Sequence, residues 1–382
     1  MKKICCVIGS RANYSSIKSA LIAIKEHKDL ELELIANTSA LIDKFGNVAN
    51  LIQQDGFEIK YKMYNLIEGD NPLTMVKSTA LAMSELPNFF EIIKPDLVIT
   101  VGDRYETMAT AISASYMNIT LAHTMGGEVS GTIDESIRHS ITKLSHLHFA
   151  ASKDAANRII KLGEKKENVF NVGCPRIDLV KSYLEKNKTP IQFIKEGVGK
   201  TLNLLESFVL VSFHPVTTEY GQSGNQMLTI LESIDMLKIN ALVLWPNSDA
   251  GSDEISKGIR KFRENNSLNY FQFIKNLPID IYINLMSRTK CLVGNSSSGI
   301  REGAFIGTPV VNIGSRQSKR ERSKNVIDVK SFDVELIKNA IQKQIKHGPY
   351  ESNELYGLGN SGMQIANIIS KTNLSPQKSI TY

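Results

Sequence analysis

Asp103, Arg104, His123, Glu128, Asp134, Glu135, Arg138 and His139 fall within 37 residues and are of the kinds that move protons or hold anions. Asp134 and Arg138 stand one helical turn apart, as do Glu135 and His139, so each pair would share a helix face. The same spacings would equally serve surface ion pairs, and spacing alone leaves both uses open. Gly126-Gly127 immediately before Glu128 argues for a close approach of backbone to something. Carboxylates gathered in a sugar-sized cleft suit general acid–base chemistry. His139, His146 and His148 do not place three ligands on one face, so no metal site is expected.

A second group occupies 294–302. There Gly294-Asn295 leads into Ser296-Ser297-Ser298 and the start of a helix. Free N–H groups at a helix start, with hydroxyls beside them, make a phosphate cradle. Capping that helix would need only one of the three serines. The segment is neither a P-loop nor a GxGxxG fingerprint, which counts against nucleoside triphosphates and dinucleotides. Glu302, one turn further on, could accept hydrogen bonds from a ribose. Arg11 and Arg316 could supply fixed positive charge to a diphosphate.

The elements that must position these groups are short apolar runs alternating with helical patterns. Strands are expected over 4–8, 30–36, 57–62, 96–101, 119–123, 147–151 and 169–172. Helices are expected over 16–25, 45–54, 73–93, 107–117, 134–144 and 155–162. Residues 175–205 are more polar and interrupt the alternation, which then restarts. The later strands are expected over 208–213, 241–245, 270–274, 291–294 and 309–313. Helices lie near 225–237, 253–264, 279–288, 299–306, 334–346 and 362–370. Continuous apolar strands between helices mean parallel sheets covered on both faces. The pattern predicts an α/β protein with two Rossmann-like domains, 1–180 and 181–360, and a C-terminal helix and tail over 361–382. In such sheets ligands sit outside the carboxyl ends of strands. That rule picks out 9–15, 102–104, 123–135, 214–215, 246–249, 294–299 and 314–316.

Composition narrows the function classes. The 382 residues are 42% hydrophobic and 22% charged, an ordinary globular mixture, which sets aside disordered, collagen-like and coiled-coil readings. A net charge of +6 is mild for this length, and the densest basic stretch, 316–324, also contains Glu321, so nucleic acid is not expected as a partner. Cys5, Cys6, Cys174 and Cys291 lack ligand or CxxC spacing and suit reduced buried thiols of a cytoplasmic protein. No run approaches the roughly 18 apolar residues of a membrane span.

Six separated motifs then fall in one order. They are GSRANYS (9–15), VGDRYETMA (101–109), GGEVSGTIDESIRHSITKLSH (126–146), FHPVTTE (213–219), PNSDAGS (246–252) and GNSSSGIREGAFIGTPVVNIGSRQ (294–317). Over about 4–317 the chain resembles the hydrolysing UDP-N-acetylglucosamine 2-epimerases, in the branch that feeds sialic acid synthesis. The resemblance implies a two-domain glycosyltransferase-B fold, an active site in the interdomain cleft, usually a homodimer, and no metal or nicotinamide. It also implies a two-step reaction: a base removes the proton at sugar carbon 2 while UDP leaves carbon 1, and water then adds to the glycal to release N-acetylmannosamine. Carried over motif by motif, Asp103 and Asp134 would be catalytic carboxylates, Arg138 would orient them or the sugar, and His214 would assist at the leaving diphosphate. Arg11, Ser15, Arg104, Asn247, Ser297, Ser298, Glu302 and Arg316 would hold UDP, with Leu277 giving a backbone contact to the base.

Two positions depart from the family's pattern. Where it often reads His-Ile-Glu-Gly-Gly-Glu, this chain reads His123-Thr124-Met125-Gly126-Gly127-Glu128. A thioether carries no proton, so Glu128 would have to substitute, or Asp103 and Asp134 suffice. Alternatively the sugar differs. Related enzymes act on nucleotide-linked N,N'-diacetylbacillosamine in legionaminic acid synthesis, and Met125 would suit a methyl group where glucosamine has a hydroxyl. Ser16 stands where many relatives place a lysine, which removes one expected phosphate contact.

Overall fold

The computed structural model describes residues 1–381 except 44, 45, 70, 131, 132, 187, 188, 217, 218, 220, 247–250 and 276. The chain divides into two compact α/β units. The first joins Met1–Val129 and Ile133–Leu179 to the residues from Tyr356 onward, and the second is built on Val180–Leu355. Helix and tail 361–382 thus belong with the first unit.

The first unit runs β1 (Lys2–Ile8), α1 (Arg11–Glu26), β2 (Leu30–Asn37), α2 (Val48–Gln54), β3 (Tyr61–Met63), α3 (Pro72–Ile93), β4 (Leu97–Val101), α4 (Tyr105–Tyr116), β5 (Thr120–Thr124), α5 (Asp134–Leu144), β6 (Leu147–Ala150), α6 (Lys153–Lys161), β7 (Val169–Asn171) and the start of α7 (Pro175–Lys186). Its strands pair in the order β3-β2-β1-β4-β5-β6-β7, and every pairing is parallel. Parallel pairing explains the lack of alternation in β1: both faces are covered. Ile4, Cys6 and Ile8 pack toward Ile17, Leu21 and Ile24 of α1, while Cys5 and Val7 pack toward Leu86 and Phe90 of α3. All four cysteines are buried. The order reverses direction between β1 and β4, the switch point outside which ligands of such sheets bind.

The second unit runs β8 (Val198–Gly199), β9 (Phe208–Ser212), α8 (Ser223–Asp235), β10 (Asn240–Leu244), α9 (Ser252–Asn265), β11 (Phe271–Ile274), α10 (Ile279–Arg288), β12 (Cys291–Gly294), α11 (Ser297–Ile300), α12 (Glu302–Ile306), β13 (Val310–Ile313), β14 (Val326–Val329) and α13 (Val334–His347). Its order is β14-β13-β12-β9-β10-β11-β8, with the switch point between β9 and β12. The chain closes with α14 (Ser361–Lys371), whose Ile365, Ala366 and Ile369 join the β1–α1 core.

Differences from the expected elements have local causes. The polar stretch 175–205 hides α7, which starts on Pro175 and buries only a narrow stripe that includes Ile177 and Val180, and β8, the one antiparallel strand among the described residues, paired with β11. β14 is four residues long and follows the basic loop, too short for a periodic signal. The helix expected over 299–306 is two pieces that meet at the buried Arg301. The strand expected over 57–62 is confined to β3, because Phe57 turns into the α1–α2 core instead.

Candidate functional site

In the first unit the switch point is bridged by Asn13. Its side-chain oxygen accepts from the Gly9 N–H at 3.2 Å, and its amide nitrogen donates to the Val101 carbonyl at 3.1 Å, tying the ends of β1 and β4 together. The next residues after β4 are Gly102-Asp103-Arg104. Gly102 offers its carbonyl to His123 Nε2 at 2.7 Å, so that nitrogen carries the ring proton. His123 Nδ1 faces the Thr142 hydroxyl at 3.3 Å. Burial away from water drives the His123 pKa down to about 3, more than the Gly102 hydrogen bond restores. The imidazole is therefore a neutral strut, and it fixes the backbone from which Asp103 projects.

Asp103 meets Arg138. The Arg138 Nη2 group donates to the Asp103 carboxylate, and Nη1 donates to the Glu128 carbonyl at 2.9 Å. Arg138 is 1% exposed and Asp103 25%, so the guanidinium is sealed beneath a carboxylate that still reaches solvent. A buried planar fork of this kind fixes geometry better than a lysine would. It joins three segments: the loop after β4, the loop after β5, and α5. Asp134 opens that helix and is half-buried, while Glu128 is buried. Arg104 donates from Nε to Glu106 at 2.6 Å, and Glu106 is almost fully buried beside Gly9.

The loop between β5 and α5 is tight. Met125 takes a left-handed backbone, φ +62°, costly for a side chain of this size. Its N–H donates to the Phe149 carbonyl at 3.0 Å and its side chain is 9% exposed. A Cβ on Gly127 would lie 2.3 Å from the Ala155 carbonyl, so only glycine fits there.

Arg11 opens α1 behind Ser10, whose hydroxyl caps the helix by accepting from the Asn13 N–H. The Arg11 pKa is lowered by burial and then by Arg176, which stands in the first turn of α7. Ser15 donates to the Ala12 carbonyl at 3.2 Å, and Ser16 lies on the buried face of α1.

In the second unit Asn295 is the bridge. Its side-chain oxygen accepts from the His214 N–H and its amide donates to the His214 carbonyl, both at 2.8 Å, across the β9–β12 switch point. Its own carbonyl accepts from Arg316 at 3.3 Å and Gln317 at 2.9 Å. Gly294, at φ +138°, is required because a Cβ would lie 2.1 Å from the Ser212 carbonyl. The Ser298 hydroxyl sits 2.8 Å from that of Ser296 and 2.5 Å from the Tyr282 phenol. Ser297 is half-buried, Glu302 is 1% exposed at the start of α12, and Leu277 is buried before α10. His214 Nε2 lies 3.5 Å from the Ser212 hydroxyl. Asn247 falls outside the described residues.

The first unit therefore brings Asp103, Arg138 and Glu128 together, with Asp134 on the same helix as Arg138. The second brings together His214, Ser298 and Arg316 around Asn295. Asn13, Glu106, Arg176, Asn295 and Tyr282 escaped the sequence reading as individual site residues. Applying the strand-end rule to β7 as well would have reached Arg176, and Asn13, Glu106 and Asn295 lie inside the quoted motifs. Among the described residues, no three His, Cys, Asp or Glu side chains are grouped to hold a metal ion.

The family model described as UDP-N-acetylglucosamine 2-epimerase matches residues 22–370. The chain belongs to this family. The UDP-N-acetylglucosamine 2-epimerase of Neisseria meningitidis serogroup B is 30% identical, over 99% of this chain and 98% of that one. The GDP/UDP-N,N'-diacetylbacillosamine 2-epimerase (hydrolyzing) of Campylobacter jejuni is 35% identical over 87% and 86%. The crystal structure of the N. meningitidis UDP-GlcNAc 2-epimerase bound to UDP-GlcNAc superposes with a TM-score of 0.80 at 18% identity, over 97% of this chain and all of that one. The two parallel-sheet units are thus those of the 2-epimerase fold.

Proposed function

We propose that this 2-epimerase family member is the hydrolysing type, converting UDP-N-acetylglucosamine and water to N-acetylmannosamine and UDP for sialic acid synthesis. The observation that carries the reading is a carboxylate, Asp103, at the switch point of the first sheet, held by a buried guanidinium from the helix that Asp134 opens. Deprotonation next to a leaving group needs a carboxylate whose position is fixed before the sugar arrives. One carboxylate takes the proton from carbon 2 as the carbon 1–oxygen bond breaks. The electron pair forms the glycal double bond, and UDP leaves with the bonding electrons. Water then adds its hydroxyl to carbon 1 while an acid returns a proton to the opposite face of carbon 2. Glu128 and Asp134 are the partners for the second half, and Arg138 holds the set together.

On this reading the diphosphate and uridine are taken by Arg11, Ser15, Arg104, Asn247, Leu277, Ser297, Ser298, Glu302 and Arg316, with His214 at the leaving oxygen.

Met125 favours a second reading, the same chemistry on UDP-N,N'-diacetylbacillosamine. A mostly buried thioether on a strained loop supplies an apolar wall rather than a proton. Proton NMR in deuterated water with each nucleotide sugar tests both. N-acetylmannosamine deuterated at carbon 2 supports the first reading, turnover of the diacetamido sugar alone supports the second, and a product without deuterium refutes the elimination step.

A further inference from the structure

At the amino ends of the first sheet, opposite the site, lysines close the last turns of helices. Lys2 Nζ donates to the carbonyls of Ile369, Ser370 and Thr372 at the end of α14, and Lys3 Nζ to Ile93 at the end of α3. Such contacts satisfy orphan carbonyls and meet the negative end of the helix dipole. The third helix closed in this way is α5, and its lysine comes from far along the chain. Lys378 Nζ donates to the Lys143 carbonyl at 2.8 Å, the Ser145 carbonyl at 2.6 Å and Glu164 Oε2 at 2.7 Å.

Lys378 does not stand alone. The Pro376 carbonyl lies 2.7 Å from His146 Nε2, and the other nitrogen of that ring accepts from the Leu121 N–H. The Thr381 N–H donates to the Gly163 carbonyl at 2.9 Å. Glu164 is the hub, with Lys143 Nζ at 2.5 Å and His148 Nε2 at 3.2 Å as its further partners. Burial pushes the Glu164 carboxyl up, but hydrogen bonds from His148, Lys143 and Lys378 overcome it and hold the carboxyl at about 2. Segment 376–381 is therefore a strap fastened to the end of α5, to His146 just before β6, and to the loop after α6.

The helix so fastened is the one that carries Asp134 and Arg138. Its last turn is gripped through Lys143 and the backbone at Ser145, and five residues earlier Arg138 grips Asp103 and the Glu128 carbonyl. Five residues span about 7.5 Å of rigid helix. A shift of the last turn is thus handed directly to the guanidinium. We propose that Lys378 is a positioning residue for the reaction, setting the axial placement of α5 and with it the seat of Asp103 and Asp134. The activity half of this inference rests on the 2-epimerase reading above.

Two variants of the full chain test it: Lys378→Met, which keeps the stem but removes charge and donors, and Lys378→Arg, which can still reach the carbonyls. Amide hydrogen exchange reads the mechanical claim without any substrate. In Lys378→Met, exchange should rise along α5 as far as 138, and Lys378→Arg should restore protection. A rise confined to 143–148 and 161–164 overturns the proposal. With substrate, Lys378→Met should lower kcat about tenfold, since small displacements of reacting groups are costly, with UDP affinity by calorimetry unchanged and Lys378→Arg recovering most of the rate. An unchanged kcat in a variant with a lowered melting temperature makes the strap merely structural and also overturns the proposal. Failure of the wild-type chain to turn over either nucleotide sugar would defeat the proposed function, while the exchange data still decide the strap.

Discussion

Each unit closes its switch point with an asparagine, and the two neighbourhoods could hardly differ more. Asn13 ties β1 to β4, and what stands on that tie is charged: Asp103 on Arg138, and Arg104 on Glu106. Asn295 ties β9 to β12 and holds the His214 backbone, Arg316 and Gln317, while the Ser296–Ser298–Tyr282 hydroxyl chain follows it in the loop that leads to the buried Arg301 and Glu302. The same scaffold solution thus supports two chemistries. Paired charges on a fixed backbone suit proton transfer, where the position of a carboxylate matters. Hydroxyls, amides and the Arg316 guanidinium around a glycine suit recognition of an anion, where donors matter and no proton need move.

The sharpest way to break this contrast is at Asp103. Asparagine there keeps an oxygen for Arg138 but removes a carboxylate that the proposed reaction uses, so Asp103→Asn should reduce turnover by about 10²–10⁴-fold. UDP affinity by calorimetry should stay within about twofold, since the hydroxyl and amide cluster is untouched. Turnover within tenfold of wild type would remove Asp103 from the chemistry, and a parallel loss of UDP affinity would erase the division of labour.

Asn295 probes the other side with a smaller expected effect. Asn295→Ala removes the amide that ties the His214 N–H and carbonyl across the β9–β12 switch point. UDP binding should weaken by about tenfold, or about 1.4 kcal/mol, as the groups held on that tie lose their fixed placement. Hydrogen exchange of α5 in the first unit should not change. Undiminished UDP affinity would show that the Asn295 tie is dispensable for the anion.

How much of this was legible in the sequence depends on the range of each interaction. α5 and α10 were readable to the residue, because an apolar stripe every three or four positions is a local signal. The strand-end rule found Asp103, Glu128, His214 and Ser298 because it needs only order along the chain. Spacing tied Arg138 only to Asp134, and it was the family resemblance that had Arg138 orienting the carboxylates or the sugar; the fork's partners, 35 and 10 residues away, leave no local signal. Asn13 and Asn295 fall inside the strand-end segments 9–15 and 294–299 but received no role there; only the sheet order gives each one two strands to join. Lys378, 214 residues from Glu164, left no mark at all.

The smallest expected effect concerns His123, and it separates a strut from a catalyst. A buried histidine bonded to Gly102 beside Asp103 invites a proton-transfer role, yet with its pKa near 3 it stays neutral between pH 5 and 8. The rate profile between pH 5 and 8 should therefore carry no ionisation that is lost in His123→Gln, even if that variant is slower at every pH. Stability behaves differently. Below about pH 6.5 the unfolded chain binds a proton that the folded imidazole refuses. The unfolded state then holds more protons, so the wild type loses stability as pH falls, by about 1.4 kcal/mol per unit until the folded pKa is reached. His123→Gln should flatten that slope in denaturant titrations at pH 6, 5 and 4. A rate profile that loses its acidic limb in the variant would put the imidazole into the chemistry, and the neutral-strut account of the first unit would have to be abandoned.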